Sequence, residues 1–167
     1  MMTFKQTTGL IICSAMLFAA PAQAQFFVFE NPLVGKQAPD FTASTLNSGK
    51  ISMSQFRDGQ SAIIFFWATW CPHCRKQLKE LAEKKQELTQ KGIKIILVDI
   101  QENAQQVKGY MDKNRIDYEV FLDEDQSIAE NFGIVGVPTF FFLNKDGVIK
   151  AVEHEIPSDY EKILAQK

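Results

Sequence analysis

The chain has 167 residues, a formal net charge of −2 and 46% hydrophobic residues. This length suits one domain with its own core. The mild acidity and the lack of a basic stripe argue against nucleic-acid binding, and no repeat or low-complexity tract suggests a second domain. We therefore expect a single globular domain.

The first 24 residues have the pattern of a secretory signal. Lys5 gives a weakly positive start, an apolar stretch follows over residues 10–20, and Ala22-Gln23-Ala24 is a small-x-small cleavage site. The apolar stretch is short for a bilayer span. We expect cleavage before Gln25, a single domain over residues 25–167, and export to the periplasm or beyond it. An uncleaved membrane anchor is the alternative.

Cleavage changes the cysteine content of the protein. Three cysteines are present, and the predicted signal contains one of them, Cys13. Cys71 and Cys74 remain, so no further disulfide is available to staple the fold, although small exported proteins often use such staples. We expect the hydrophobic core to supply the stability.

From residue 51 onwards, the pattern alternates between strands and helices. Predicted strands cover residues 51–53, 62–67, 93–99, 118–121, 139–143 and 148–152. Predicted helices cover residues 72–90, 105–114, 127–132 and 158–166. The first helix should end at Gly92 and bury Leu78, Leu81, Ala82 and Leu88; in the last, Ser158 and Glu161 should form a capping box. The alternation implies an α/β fold with helices on both faces of a mixed central sheet.

Residues 66–74 read Phe-Trp-Ala-Thr-Trp-Cys-Pro-His-Cys, and they join a predicted strand to a predicted helix. Cys71 therefore lies near a helix N-terminus, where unpaired N–H groups and the helix dipole favour an anion. A thiolate is an anion, and it is the reactive form of cysteine. Since two residues separate them, the sulfurs of Cys71 and Cys74 can close and reopen a small ring. The motif indicates a reversible dithiol/disulfide pair.

Other uses of the two cysteines fit the sequence less well. A closed zinc site needs four ligands, and besides His73 only His154, on a distant predicted strand, could add a histidine. Covalent haem attachment needs His directly after the second Cys, where Arg75 stands, and a peroxiredoxin needs Thr or Ser at the position of Ala68. We expect neither metal nor cofactor. Cu(I) suits thiolates, so a copper chaperone is the alternative from a different functional class.

The motif resembles that of the thioredoxin superfamily, and specifically the periplasmic TlpA/ResA-like thiol–disulfide oxidoreductases, over roughly residue 33 to the C-terminus. The segment 35–41, Gly-Lys-Gln-Ala-Pro-Asp-Phe, is similar to the entry segment of that group and of the peroxiredoxins. Residues 136–139, Gly-Val-Pro-Thr, resemble the family's cis-proline loop. The resemblance implies a thioredoxin-like fold with the extra TlpA/ResA-type helix and strand between residues 101 and 123.

The resemblance also implies roles for residues around the pair. A cis bond before Pro138 would expose the backbone of Val137 beside Cys71, so that an extended substrate could pair with it. Trp70 would cover the disulfide and contact substrate. Within the motif, Pro72 and His73 would tune the pKa of Cys71, and a His73 N–H beside the sulfur would stabilise the thiolate and make the disulfide a better oxidant.

Two positions depart from the family pattern. Many thioredoxins carry a buried Asp where Phe65 stands, and many TlpA/ResA members carry a Glu where Gln77 stands. Neither residue can take a proton at ordinary pH, yet Cys74 must lose one before it attacks. Water, Asp99 and Glu102 are the candidate acceptors.

The sequence thus predicts a periplasmic thiol–disulfide oxidoreductase, monomeric, that reduces disulfides in exported proteins, with apocytochrome c as one candidate substrate. A membrane electron donor of the DsbD/CcdA type would restore its dithiol. Cys-Pro-His-Cys also resembles the motif of DsbA-type oxidases, so the oxidising direction is a further alternative.

Overall fold

A computed structural model describes residues 31–166 of the chain. The predicted signal peptide and residues 25–30 lie outside the described residues. In chain order the elements are β1 (Thr42–Ser44), β2 (Lys50–Ser52), α1 (Met53–Arg57), β3 (Ser61–Trp67), α2 (Pro72–Glu83), α3 (Lys85–Gln90), β4 (Ile93–Ile100), α4 (Ala104–Asn114), β5 (Val120–Asp123), α5 (Ser127–Asn131), β6 (Thr139–Leu143), β7 (Ile149–Glu153) and α6 (Tyr160–Leu164).

The central sheet has five strands in the order β5-β4-β3-β6-β7. β4 runs parallel to both β3 and β5, whereas β6 runs antiparallel to β3 and β7. β1 and β2 form a separate antiparallel hairpin. The mixed sheet confirms the predicted α/β class, and α4 with β5 occupies the segment in which the extra helix and strand were expected.

The core has two layers because β3, at the centre of the sheet, is buried along its whole length. Side chains of a strand alternate between faces. Ile63, Phe65 and Trp67 therefore pack on one face, in a cluster with buried residues of α2, α3, α4 and α6. Ile64 and Phe66 pack on the other, with buried residues of α1 and α5. Helices thus cover both faces, as the sequence predicts.

The long helix predicted over residues 72–90 is interrupted, and on this point the prediction is wrong. Lys84 leaves helical geometry, with φ −88° and ψ 1°, and separates α2 from α3. The Tyr118 hydroxyl donates a 2.9 Å hydrogen bond to the Leu81 carbonyl, which in a continuous helix would accept from Lys85. The break therefore has a tertiary cause. The end is as predicted, since Gly92 has φ 66° directly after the last turn.

The closing helix also differs from the prediction. α6 begins at Tyr160, its N-cap position is Asp159 rather than Ser158, and no side chain caps it. Glu161 could have folded back in a capping box, but its carboxylate lies 2.6 Å from the Lys91 ammonium instead. The Glu161 carboxylate therefore pairs with Lys91, the C-cap residue of α3, and does not cap its own helix.

Capping boxes are present at α4, formed by Asn103 and Gln106, and at α1, a helix that the sequence analysis missed. The Ser52 hydroxyl accepts from the Gln55 N–H, and the Gln55 side chain accepts from the Ser52 N–H. β1 was not predicted either. The remaining strands and helices agree with the predicted ones to within about two residues at each end, as is usual for element boundaries.

The aromatic stack between β3 and β6 gives a test of the core. The rings of Phe65 and Phe140 are 4.2 Å apart and nearly parallel, and both residues are fully buried. We expect Phe140→Ala to lower the free energy of unfolding by about 3–5 kcal/mol, since it removes buried area and leaves a cavity. Urea unfolding measures the loss. Val135→Ala, at a fully exposed apolar residue, is the control and should change the value by less than about 0.5 kcal/mol. Equal effects of the two changes would contradict this description of the core.

Candidate active site

The active-site loop begins where β3 ends at the centre of the sheet. Cys71 is the N-cap of α2, and Pro72 occupies the first turn, where its missing N–H costs nothing. The Cys71 sulfur accepts a hydrogen bond of 3.1 Å from the Cys74 N–H. A backbone donor and the N-terminal end of the helix dipole therefore act on this sulfur, and both favour a thiolate.

Cys71 and Cys74 form a disulfide, with their Cα atoms 5.2 Å apart. Cys71 retains 5% of its surface exposed, whereas Cys74 retains none. An external sulfur can therefore reach Cys71 and has no path to Cys74. This difference in access favours Cys71 as the sulfur that exchanges with substrate.

The segment before β6 lies against the disulfide. The Val137–Pro138 peptide bond is cis, and the Val137 carbonyl oxygen is 3.8 Å from the Cys71 sulfur. Because Phe66 pairs with Thr139 in the antiparallel register of β3 and β6, the start of β6 adjoins the end of β3. The sheet thus brings the predicted substrate-binding residues Val137 and Pro138 to the sulfur.

His154 was expected on a distant strand, and this expectation is wrong. It follows directly after β7, and its Nδ1 atom lies 2.8 Å from the Pro138 carbonyl oxygen. β7 runs antiparallel to β6, so the end of β7 returns to the start of β6. The imidazole is therefore within hydrogen-bond distance of the cis-proline loop that lies beside Cys71. Only the strand order, which the sequence pattern does not state, could have indicated this contact.

Trp70 and His73 lie on the outer side of the disulfide. Trp70 is 58% exposed, which makes it one of the two large exposed hydrophobic residues in the described part of the chain. His73 is also exposed, and no hydrogen bond joins its ring to Cys71 among residues 31–166. Any influence of His73 on the thiolate must therefore act through solvent or through a change of side-chain position.

Glu102 holds the loop that precedes Cys71. Its carboxylate accepts from the Thr69 N–H and from the Thr69 hydroxyl, both at 2.5 Å, and the residue is buried. Two charge-assisted bonds to one residue fix the backbone between β3 and α2. The sequence analysis named Glu102 as a candidate proton acceptor; the structure gives it a positioning contact.

Asp99 lies fully buried near the end of β4. Within the described range neither of its carboxyl oxygens has a partner at good hydrogen-bond geometry, and Glu102 interacts with it through both its side chain and its backbone. Burial first, then the charge of Glu102 and a side-chain hydrogen bond to it, and then the charge of Asp123 raise the pKa of Asp99 to about 9. The side chain is therefore a neutral carboxylic acid at neutral pH.

Among residues 31–166, no group of three or more His, Cys, Asp or Glu side chains could hold a metal ion. No helix in the same range is long and apolar enough to cross a membrane.

Comparison of the chain with known proteins identifies a family and several relatives. The model of the AhpC/TSA family matches residues 34–152. The thiol–disulfide oxidoreductase ResA of Bacillus thuringiensis subsp. konkukian is 31% identical over 91% of this chain and 87% of its own length. ResA of Bacillus subtilis is 27% identical over 89% of this chain and 83% of its own length.

Solved structures agree with the fold. A thiol:disulfide interchange protein of the thioredoxin family from Chlorobium tepidum superimposes with a TM-score of 0.66 at 26% identity, covering 77% of this chain and 92% of its own. StoA from Bacillus subtilis superimposes with a TM-score of 0.64 at 24% identity, covering 81% of this chain and 100% of its own.

His73 gives a test of how the motif sets the redox balance. We expect His73→Leu to raise the pKa of the Cys71 thiol, because a group that can stabilise the thiolate is removed. A less stable thiolate destabilises the reduced form, so the reduction potential should become more negative. Because His73 is exposed, we expect a shift of about 30 mV or less, equivalent to at most about a tenfold change in the equilibrium constant.

The potential is measured by equilibration with glutathione, and the pKa by the pH dependence of Cys71 alkylation. Lys76→Leu, at an exposed position one turn further along α2, is the matched control. If His73→Leu leaves both quantities where Lys76→Leu leaves them, His73 does not tune the pair.

Proposed function

We propose that this protein, which belongs to the AhpC/TSA family and is a thiol–disulfide oxidoreductase similar to ResA, is exported and reduces disulfide bonds in other exported proteins. The observation that carries the proposal is the unequal access to the redox pair beside the cis-proline loop. Cys71 is reachable and adjoins Val137, whereas Cys74 is enclosed.

In the proposed reaction, the Cys71 thiolate attacks one sulfur of a substrate disulfide. The other substrate sulfur leaves with the electron pair and takes a proton from solvent. Cys74 then loses its proton and attacks Cys71, forming the Cys71–Cys74 bond while the second substrate sulfur leaves as a thiolate. Two electrons pass to the substrate, and the enzyme ends in the disulfide state.

Substrate binding is proposed along the loop before β6. The carbonyl of Val137, held beside Cys71 by the bond to Pro138, can accept a hydrogen bond from an extended substrate segment. Trp70 offers an exposed aromatic surface next to the same sulfur. Pro72 and His73 complete the motif and would tune the thiolate.

The location and the electron donor rest on the sequence. The signal pattern of residues 1–24 supports export, and outside the cytoplasm no thioredoxin pool keeps thiols reduced. A reductase there needs a donor that carries electrons across the membrane, and a DsbD/CcdA-type protein would fit. Apocytochrome c is one candidate among the disulfide-containing substrates.

The role of each cysteine can be tested by trapping. We expect Cys74→Ser to accumulate mixed disulfides through Cys71, because the residue that resolves them is absent. Non-reducing electrophoresis and mass spectrometry of cells that express the variant would detect the adducts and identify the substrates.

Cys71→Ser is the matched control, since it should form no adducts and should lose reductase activity towards insulin. Adducts in Cys71→Ser but not in Cys74→Ser would reverse the assigned roles. No adducts in Cys74→Ser, with Cys71 open to alkylation, would contradict reduction of protein disulfides.

The oxidising direction is the second candidate, and one contact favours it. The N–H of Cys74 points at the Cys71 sulfur, and a stabilised thiolate makes a disulfide more oxidising. We nevertheless expect a reduction potential nearer to the roughly −270 mV of thioredoxin than to the roughly −120 mV of DsbA. Equilibration with glutathione measures it, and a value near that of DsbA would favour the oxidase.

A further inference from the structure

We propose that Asp99 exchanges a proton with Cys74, directly or through one water molecule, each time the Cys71–Cys74 disulfide opens or closes. The proposal rests on the thiol–disulfide oxidoreductase activity and does not depend on its direction or on the identity of the substrate.

The chemistry requires such a group. Cys74 has no exposed surface, so its sulfur cannot exchange a proton freely with bulk water. The two positions at which the family pattern would supply an acid hold Phe65 and Gln77. Neither side chain ionises at ordinary pH, so the acid must come from another element.

The strand register places Asp99 on the face of the sheet that carries the disulfide. Asp99 pairs with Trp67 in the parallel ladder between β4 and β3, and paired residues of adjacent strands point to the same face. Trp67 belongs to the core cluster that contains Cys71 and Cys74. On the other side of Asp99, its partner Leu122 belongs to the same cluster.

Several buried polar atoms on this side of the sheet lack a hydrogen-bond partner among the described residues. Four buried side-chain atoms have no hydrogen-bond partner in the described part of the chain, and they are Asp99 Oδ1, Asp99 Oδ2, Gln77 Oε1 and Trp67 Nε1. Trp67 ends the strand before the disulfide, Gln77 lies on the helix after it, and Asp99 lies on the strand that pairs with β3. Unsatisfied polar groups are costly in a core, and their concentration here is consistent with a site that a proton or a water molecule uses during turnover.

The charged groups around Asp99 keep it neutral while the disulfide is closed. Glu102, after the end of β4, is held by its two bonds to Thr69. Asp123, at the end of β5, accepts from the backbone N–H groups of Ile128 and Ala129. Burial, the charge of Glu102, a side-chain hydrogen bond to Glu102 and the charge of Asp123 together raise the pKa of Asp99 to about 9. On α2, the buried residues with polar side-chain atoms are Cys74 itself and Gln77, which carries no charge.

The proton balance follows from this arrangement. When an incoming thiolate attacks the Cys71 sulfur, the Cys71–Cys74 bond breaks and Cys74 leaves with the electron pair. The Asp99 carboxylic acid gives its proton to the Cys74 thiolate and becomes a carboxylate. When Cys74 later attacks a mixed disulfide, its proton returns to Asp99, and the electron pair leaves on the substrate sulfur.

The test is the rate at which dithiothreitol opens the disulfide of the purified protein, followed by tryptophan emission. The rate constant is divided by the concentration of the dithiothreitol thiolate at each pH. In the wild type, it should be high while Asp99 is protonated and should fall as the pH rises through the pKa of Asp99, about 9. In Asp99→Asn, it should be lower near neutral pH, by about tenfold to a hundredfold, and independent of pH.

Two further variants separate proton exchange from a structural effect. Gln77→Glu in the Asp99→Asn background places an acid on α2, one turn after Cys74, and should restore a pH-dependent rate. Asp123→Asn alters a second buried aspartate, on the adjacent strand, whose side chain binds backbone N–H groups of α5. It should keep a pH-dependent step, moved to lower pH because one of the charges that raise the pKa of Asp99 is removed.

The experiment distinguishes a wrong role for Asp99 from a wrong assignment of the oxidoreductase activity. A pH profile of Asp99→Asn that matches the wild type would overturn the role of Asp99 alone, and a disulfide that dithiothreitol does not open at any pH would overturn the oxidoreductase activity itself. If Asp99→Asn does not fold, the carboxyl carbon of Asp99 in the wild type can be titrated by NMR. We expect its titration to shift when the disulfide is reduced, and the same titration in both states would overturn the proposal.

Discussion

The pairing of β3 with β4 on one side and β6 on the other is the constraint on which the rest of the site depends. β4 is parallel to β3 and β6 is antiparallel to it, so the end of β3, the end of β4 and the start of β6 meet at one edge of the sheet. The chain after β3 supplies Cys71, the chain after β4 supplies Glu102, and the chain just before β6 supplies Pro138. Three segments far apart in sequence thus meet without a dedicated binding domain, and the fully buried β3 fixes their relative positions.

Two carboxyl groups at the end of β4 have opposite environments and therefore different tasks. Glu102 receives two short hydrogen bonds from Thr69 and fixes the loop before Cys71. Asp99, three residues earlier, has no donor at good hydrogen-bond geometry among residues 31–166 and interacts with Glu102 itself. The charge on Glu102 contributes to the raised pKa of Asp99. A buried acid with a raised pKa is common at sites where a side chain must carry a proton.

The sequence predicted what local patterns encode. Continuous apolar runs identified the buried strands, and the spacing of Cys71 and Cys74 after one of them located the redox pair at a helix start. The missed helix α1 is a local failure, since its capping box joins Ser52 to Gln55. The other failures involve contacts between distant segments: Tyr118 interrupts the helix after Leu81, Lys91 takes Glu161 away from a cap, and His154 reaches the Pro138 carbonyl. Such contacts depend on strand order and register, and neither follows from the periodicity of a single segment.

The packing of β3 also gives a physical reason for the position of the acid. Phe65 stacks on Phe140 with the rings nearly parallel at 4.2 Å, and Phe140 is fully buried. A carboxyl group at position 65 would lose this stack and would lie among apolar residues. Two residues further along β3, on the same face, Trp67 pairs with Asp99 of β4. An acid on β4 therefore remains on the side of the disulfide while the aromatic stack at the centre of the sheet is kept.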